Sequence, residues 1–157
     1  MASLSPHRQV EEILVKANKI IREEFERTLQ YLGEECVTMV RKPHDKDWQD
    51  QTGNLRSSIG YAIYEHGVEK IRSAFQIVKE GQEGVNNGNE YVSQLARLYS
   101  STYALVVVAA MNYAEYVEAK ESRDVLASAE LYARNKVDSY LDRARQRAES
   151  KINQLLR

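Results

Sequence analysis

Apolar residues recur at steps of three and four along the first forty positions: Val10, Ile13, Leu14, Ala17, Ile21, Phe25, Leu29, Leu32, Cys36 and Val40. This spacing predicts a long amphipathic helix with its charges on the solvated side. Ser5 is placed to cap it, and Pro6 suits its first position, where a missing N–H costs nothing. Gly33 is tolerated inside it at a cost of about 1 kcal/mol. Pro43 disfavours helical geometry at Lys42, so the helix is predicted to stop near Arg41.

After a polar connection, His44 to Asn54, the period drops to two. Leu55, Ser57, Ile59, Tyr61 and Ile63 alternate with Arg56, Ser58, Gly60, Ala62 and Tyr64, which predicts a strand. Glu65, His66 and Gly67 form a turn signal, and Val68 to Val78 alternates again as the returning strand of a hairpin. Lys79 to Asn89 holds Gly81, Gly84 and Gly88 beside Asn86 and Asn87 and is expected to be a flexible loop. Tyr91, Leu95 and Leu98 suggest a short helix within Glu90 to Ser101. Tyr103 to Met111 is apolar on both faces, the pattern of a strand covered on both sides. The chain cannot obviously supply both covers, so a neighbouring subunit is one candidate and wrapping by its own helices the other. A second long helix follows: Leu126, Ala129, Ala133, Val137, Tyr140, Ala144, Ala148, Ile152 and Leu155 keep a helical step. The fold class expected is α+β. A small antiparallel sheet of three or four strands packs against two long helices, N-terminal and C-terminal, plus one short helix. No repeat or second domain is visible, so 1–157 is expected to be a single domain.

The balance of charge narrows the function. The chain has 157 residues, with 22 Lys plus Arg against 23 Asp plus Glu. A general nucleic-acid binder carries a clear basic excess, which is missing here. A local basic stretch, Arg134 to Arg157, fits either cations at a helix C-terminus or an acidic partner, with a protein partner favoured over DNA. The single cysteine, Cys36, permits no intrachain disulfide, sits on an apolar stripe and is expected to be a buried structural thiol. The N-terminus has no signal-peptide run, and the longest apolar run is about half of what a membrane helix needs. No membrane association is expected.

Candidate chemistry is sparse. His44, Asp45, Asp47 and Asp50 share a loop, yet no second His stands at a ligand spacing, so no metal site is expected. The Gly81 to Gly88 segment lacks a phosphate-loop ending. No acid–base pair, catalytic residue or cofactor motif stands out, and the protein is not expected to be an enzyme. Trp48, alone in a charged loop, either plugs a local apolar pocket or anchors a partner. Tyrosine is abundant, 10 residues against 2 Phe, which suits surfaces that are half buried and half wet.

Two stretches carry a resemblance: Asp50-Gln-Thr-Gly-Asn-Leu-Arg-Ser-Ser-Ile-Gly-Tyr61 and, later, Met111-Asn-Tyr-Ala-Glu-Tyr-Val-Glu-Ala-Lys120. In this order they resemble the minor tail or tail-completion (head–tail joining) proteins of long-tailed double-stranded DNA phages. Those proteins commonly show a Thr-Gly-x-Leu-Arg-x-Ser strand opening and a later Tyr-Ala-x-Tyr-Val-Glu element. The resemblance implies a virion structural protein of a phage or prophage, made in the bacterial cytoplasm. It would assemble as a ring-like homo-oligomer with other neck or tail proteins. In that setting Arg56, off the apolar face, and Tyr113, Tyr116 and Glu118, after the buried strand, are the expected contact residues. The alternative is a non-viral oligomeric helical adaptor or assembly module built on the two long helices.

Overall fold

In the computed structural model, which describes residues 5–42, 52–111 and 125–157, the first helical pattern forms one helix, α1 (Pro6–Arg41). Its start is capped as expected: Arg8 N donates to Ser5 Oγ at 3.5 Å and Gln9 N to Ser5 O at 3.1 Å. The remaining elements are α2 (Asn54–Ser57), β1 (Ile59–Glu65), β2 (Val68–Arg72), α3 (Gln82–Leu95), a 3-10 turn (Ala96–Tyr99), β3 (Tyr103–Ala109) and α4 (Ala127–Leu155). Among the described residues the architecture is α+β, with a three-stranded antiparallel sheet ordered β2-β1-β3. The chain divides into two compact units, Met1–Thr28 with Lys136–Arg157 and Leu29–Asn135.

The larger unit holds the sheet. β1 is its central strand and is buried along all of its length. Its alternation sends Gly60, Ala62 and Tyr64 to one face, where Ala62 and Tyr64 cluster with Phe75, Val92 and Val108 beneath α3. Tyr64 satisfies its hydroxyl on Val92 O and stacks on Tyr99, with ring centroids 6.0 Å apart. On the opposite face Tyr61 lies against α1. A Cβ at Gly33 would come within 2.7 Å of the Tyr61 ring, so the glycine is what lets the helix sit this close. The Tyr61 hydroxyl donates to Glu34 Oε1 at 2.8 Å. Cys36 is fully buried there and its thiol meets Ala129 O at 3.7 Å, tying α1 to the start of α4.

Four boundaries differ from expectation. Leu55 to Ser58, expected to open the strand, form the helical turn α2 and its end. Gly53 takes a left-handed φ of 82°, and Ser58 Oγ donates back to Leu55 O at 2.7 Å, a local bond that competes with the sheet. The returning strand stops at Arg72 instead of Val78. Ser73 N still donates to Tyr61 O at 2.9 Å, but Tyr61 N is taken by the Ser73 hydroxyl at 2.8 Å, which ends the regular ladder. The expected loop 79–89 is replaced from Gln82 onward by the first turns of α3. The short helix expected over Glu90 to Ser101 is the end of α3 and the 3-10 turn. The hairpin turn is as expected: Glu65 pairs with Val68 across His66 (φ 49°) and Gly67 (φ 80°).

The smaller unit is a pair of helical segments. Their contact phase on α1 runs through Ile13, Ala17, Ile20, Glu24 and Thr28, which shares Ile13 and Ala17 with the stripe of the sequence and then passes through Ile20, Glu24 and Thr28 in place of Ile21 and Phe25. Val10, Leu14 and Ile21 are left 56%, 57% and 39% exposed. Glu24, at a buried position, accepts Arg147 Nε at 2.8 Å and Lys151 Nζ at 2.5 Å, while Arg147 Nη2 reaches Thr28 Oγ1 at 2.9 Å. Arg147 and Lys151, near the end of α4, thus bind the middle of α1.

Candidate functional site

Of the five expected contact residues, Trp48, Tyr113, Tyr116 and Glu118 lie outside the described residues, as do His44, Asp45, Asp47 and Asp50. Arg56 is described. It is half-buried on α2 between the buried Leu55 and Ser57. Its charge, second to burial, holds the Arg41 guanidinium below the ordinary arginine value. Arg41 in turn closes α1 by donating to Gln76 O at 2.9 Å and to Gln76 Oε1 at 3.3 Å. Beside this contact lies a cleft of about 370 Å³ lined by Glu34, Thr38, Lys42 and Ser73, among others. An apolar groove of about 460 Å³ adjoins it, with Tyr31, Met39 and Tyr132 in its walls.

Two further arrangements define what this unit presents. Ala110 N donates to Ser58 O at 3.3 Å and to Ser58 Oγ at 3.1 Å, so the first motif and the residue before the second meet at one end of the β1–β3 ladder. Met111, the first residue of the second motif, has its sulfur 3.4 Å from Asn87 Nδ2 on α3. At the other side of the sheet, Arg72 forks onto Glu69 at 2.5 and 2.7 Å and reaches Asn89 O and Ser93 Oγ at 3.1 and 2.6 Å, which ties β2 to α3. The Glu69 bonds raise the Arg72 pKa.

The basic stretch of α4 is partly used within the protein. Arg147 and Lys151 serve Glu24, Arg134 pairs with Glu130 at 2.7 Å, and Arg145 lies 3.8 Å from Glu149. Arg143 sits over the Tyr140 ring, 5.0 Å from its centroid. Among the described residues no group of three or more His, Cys, Asp or Glu could hold a metal ion, and no described helix is long and apolar enough to cross a membrane.

Cys36 has the character expected of a structural thiol. Burial, and then the charge of Glu35, push its pKa up to about 11. At pH 8 in the folded protein, iodoacetamide is expected to label it about 100-fold more slowly than after denaturation. Comparable rates in the two states would contradict the buried environment.

Two features escaped the sequence reading. Glu24 stands at a helix-contact position, and its signal was a carboxylate in phase with Ile13, Ala17 and Ile20. The other is the placement of β3, which is an edge strand and half-buried, with β1 the strand covered on both faces. No family model, curated protein or solved structure matches the chain.

Proposed function

We propose that the chain is a phage or prophage virion structural protein that joins head and tail, as a tail-completion or neck-ring component. The observation that carries this reading is the convergence of the two family-like stretches: Ser58 of the first holds Ala110, next to Met111 of the second. Residues far apart in sequence thereby build one corner of the sheet, as expected if both motifs serve one assembly surface. The role is mechanical, interface formation in a ring-like homo-oligomer with other neck or tail proteins, and has no chemistry to assign. The protein is made in the bacterial cytoplasm and ends in the virion.

The test is disruption of its gene in the genome that encodes it. Electron microscopy of the lysate is expected to show DNA-filled heads and separate tails in place of joined particles, and mass spectrometry to find the chain in purified wild-type virions. Joined particles at wild-type numbers, or virions that lack the chain, would overturn the reading. A second reading, a non-viral helical adaptor, draws on the exposed Val10, Leu14, Val15 and Ile21 of α1. It predicts that Leu14→Asp abolishes association while no particle phenotype exists.

A further inference from the structure

The two edges of the sheet are built differently. β2 carries Glu69, Lys70 and Arg72 within five residues, and its register with β1 shifts between Ile63 and Tyr64. Charge and irregularity are the usual devices that stop an edge strand from pairing further. β3 has neither. Its seven residues, Tyr-Ala-Leu-Val-Val-Val-Ala, carry no charge, and it pairs with β1 in unbroken register from Ile59↔Ala109 to Glu65↔Tyr103. Among the described residues no strand lies on its other side.

The phase of the ladder says which groups that edge offers. His66 N donates to Thr102 O at 3.0 Å and Ala110 N to Ser58 O at 3.3 Å, so the even-numbered positions of β3 face their β1 partners with both backbone groups. Leu105, Val107 and Ala109 therefore turn their N–H and C=O groups outward. Backbone groups in a row, flanked by apolar side chains, are a template for another strand.

We propose that β3 pairs antiparallel with β3 of a second copy of this chain, giving a continuous six-stranded sheet ordered β2-β1-β3-β3-β1-β2. The strand suits itself as a partner. With full overlap Tyr103 stands opposite Ala109, Leu105 opposite Val107 and Ala104 opposite Val108, each a larger residue against a smaller one and none charged. Val106 meets its own copy on the two-fold axis, in a pair without mutual hydrogen bonds, where side chains approach most closely. The outward groups of Leu105 and Val107 then bond to each other across the axis. Such pairing is isologous and closes on itself, and both ends of the enlarged sheet are the charged β2 edges. It does not depend on the virion role: a ring would need a further surface.

The full-length protein is tested by light scattering from micromolar to millimolar concentration, with two kinds of variant. Val107→Pro removes an outward N–H and leaves the β1 bonds intact. It is expected to weaken dimerisation at least about tenfold, in the range of one lost edge contact set. Val106→Cys is expected to form a disulfide between chains under mild oxidant, because the two residues face each other across the axis. Ala104→Cys lies about 13 Å from its own copy along the strands and is expected to cross-link at least tenfold less. The native Cys36 is buried and does not compete. A chain that stays monomeric throughout would overturn the proposal. So would a dimer in which the two cysteine variants cross-link equally, since association would then use another surface. If Val107→Pro fails to fold by circular dichroism, the cysteine pair alone decides.

Discussion

Gly84→Ala is expected to destabilise the protein by about 2–3 kcal/mol, although alanine is the better helix former by about 1 kcal/mol. Gly84 is buried in α3, and a Cβ there would lie 2.0 Å from Asn54 O and 2.8 Å from its carbonyl carbon. Those are backbone atoms of α2, which Asn54 Oδ1 also holds by accepting Gly84 N at 3.2 Å. The helix cannot gain a methyl group unless α2 moves, and α2 is pinned through Ser57 Oγ, which accepts Val78 N at 2.8 Å. Gly67→Asn is the comparison. Its site is left-handed but open, with the nearest atom 3.4 Å from a Cβ, and asparagine adopts that conformation readily. It is expected to cost less than about 1 kcal/mol. Urea unfolding measures both, and a Gly84→Ala protein as stable as wild type would refute the close packing of α2 and α3.

The second large effect belongs to Glu24. Its carboxyl pKa is lowered, chiefly by the hydrogen bonds from Lys151 and then Arg147, against the opposing pull of burial. A carboxylate whose folded pKa lies below its unfolded value stabilises the fold above the unfolded value, about 4.3. That contribution disappears as pH falls through the folded pKa. The helix pair is therefore expected to hold at neutral pH and to loosen in acid. Glu24→Gln keeps the shape and removes the charge, and is expected to cost about 2 kcal/mol at pH 7. The figure is modest because both cations are 46% exposed and water shares in stabilising them. Amide exchange along the first part of α1, followed against pH, reads the effect. An unchanged acid profile in the variant would rule out Glu24 as its source.

The two long helices and the hairpin turn could be read from sequence because each rests on a local rule. The helical step persists over many turns, Ser5 and Pro6 start α1, and His66 and Gly67 supply the positive φ values of a tight turn. The Gly-rich segment could not be read this way. Glycine serves flexible loops and close helix contacts equally well, and only the fold shows that Gly81, Gly84 and Gly88 lie against Ser57, Asn54 and Phe75. The same holds for α2: four alternating residues fit a strand or one helical turn, and the bonds of Ser57 and Ser58 to distant and local carbonyls decide. The order of strands is not a local property at all. The wholly apolar β3 has the pattern of a strand covered on both faces, yet it is half-buried at an edge. β1 occupies the centre because it pairs with β2 on one edge and β3 on the other, and its two tyrosines find hydroxyl partners on its two faces, Glu34 and Val92 O. Of the candidate contact residues only Arg56 lies within the described part, and its half-buried place beside Arg41 gives it a structural setting that spacing alone did not announce.

The bond between Arg147 and Glu24 also sets an order of events in time. The two residues are 123 positions apart, and a ribosome adds roughly 5–20 residues each second. Glu24 is therefore synthesised roughly 6–25 seconds before Arg147 and Lys151, the two α4 cations that bond it. During that interval α1 carries a carboxylate at a position meant for a covered contact, with Val10, Leu14 and Ile21 already on the surface. The nascent chain thus passes through a period in which its leading helix is open to other proteins, and early engagement by a chaperone or by an assembling neighbour would meet it then.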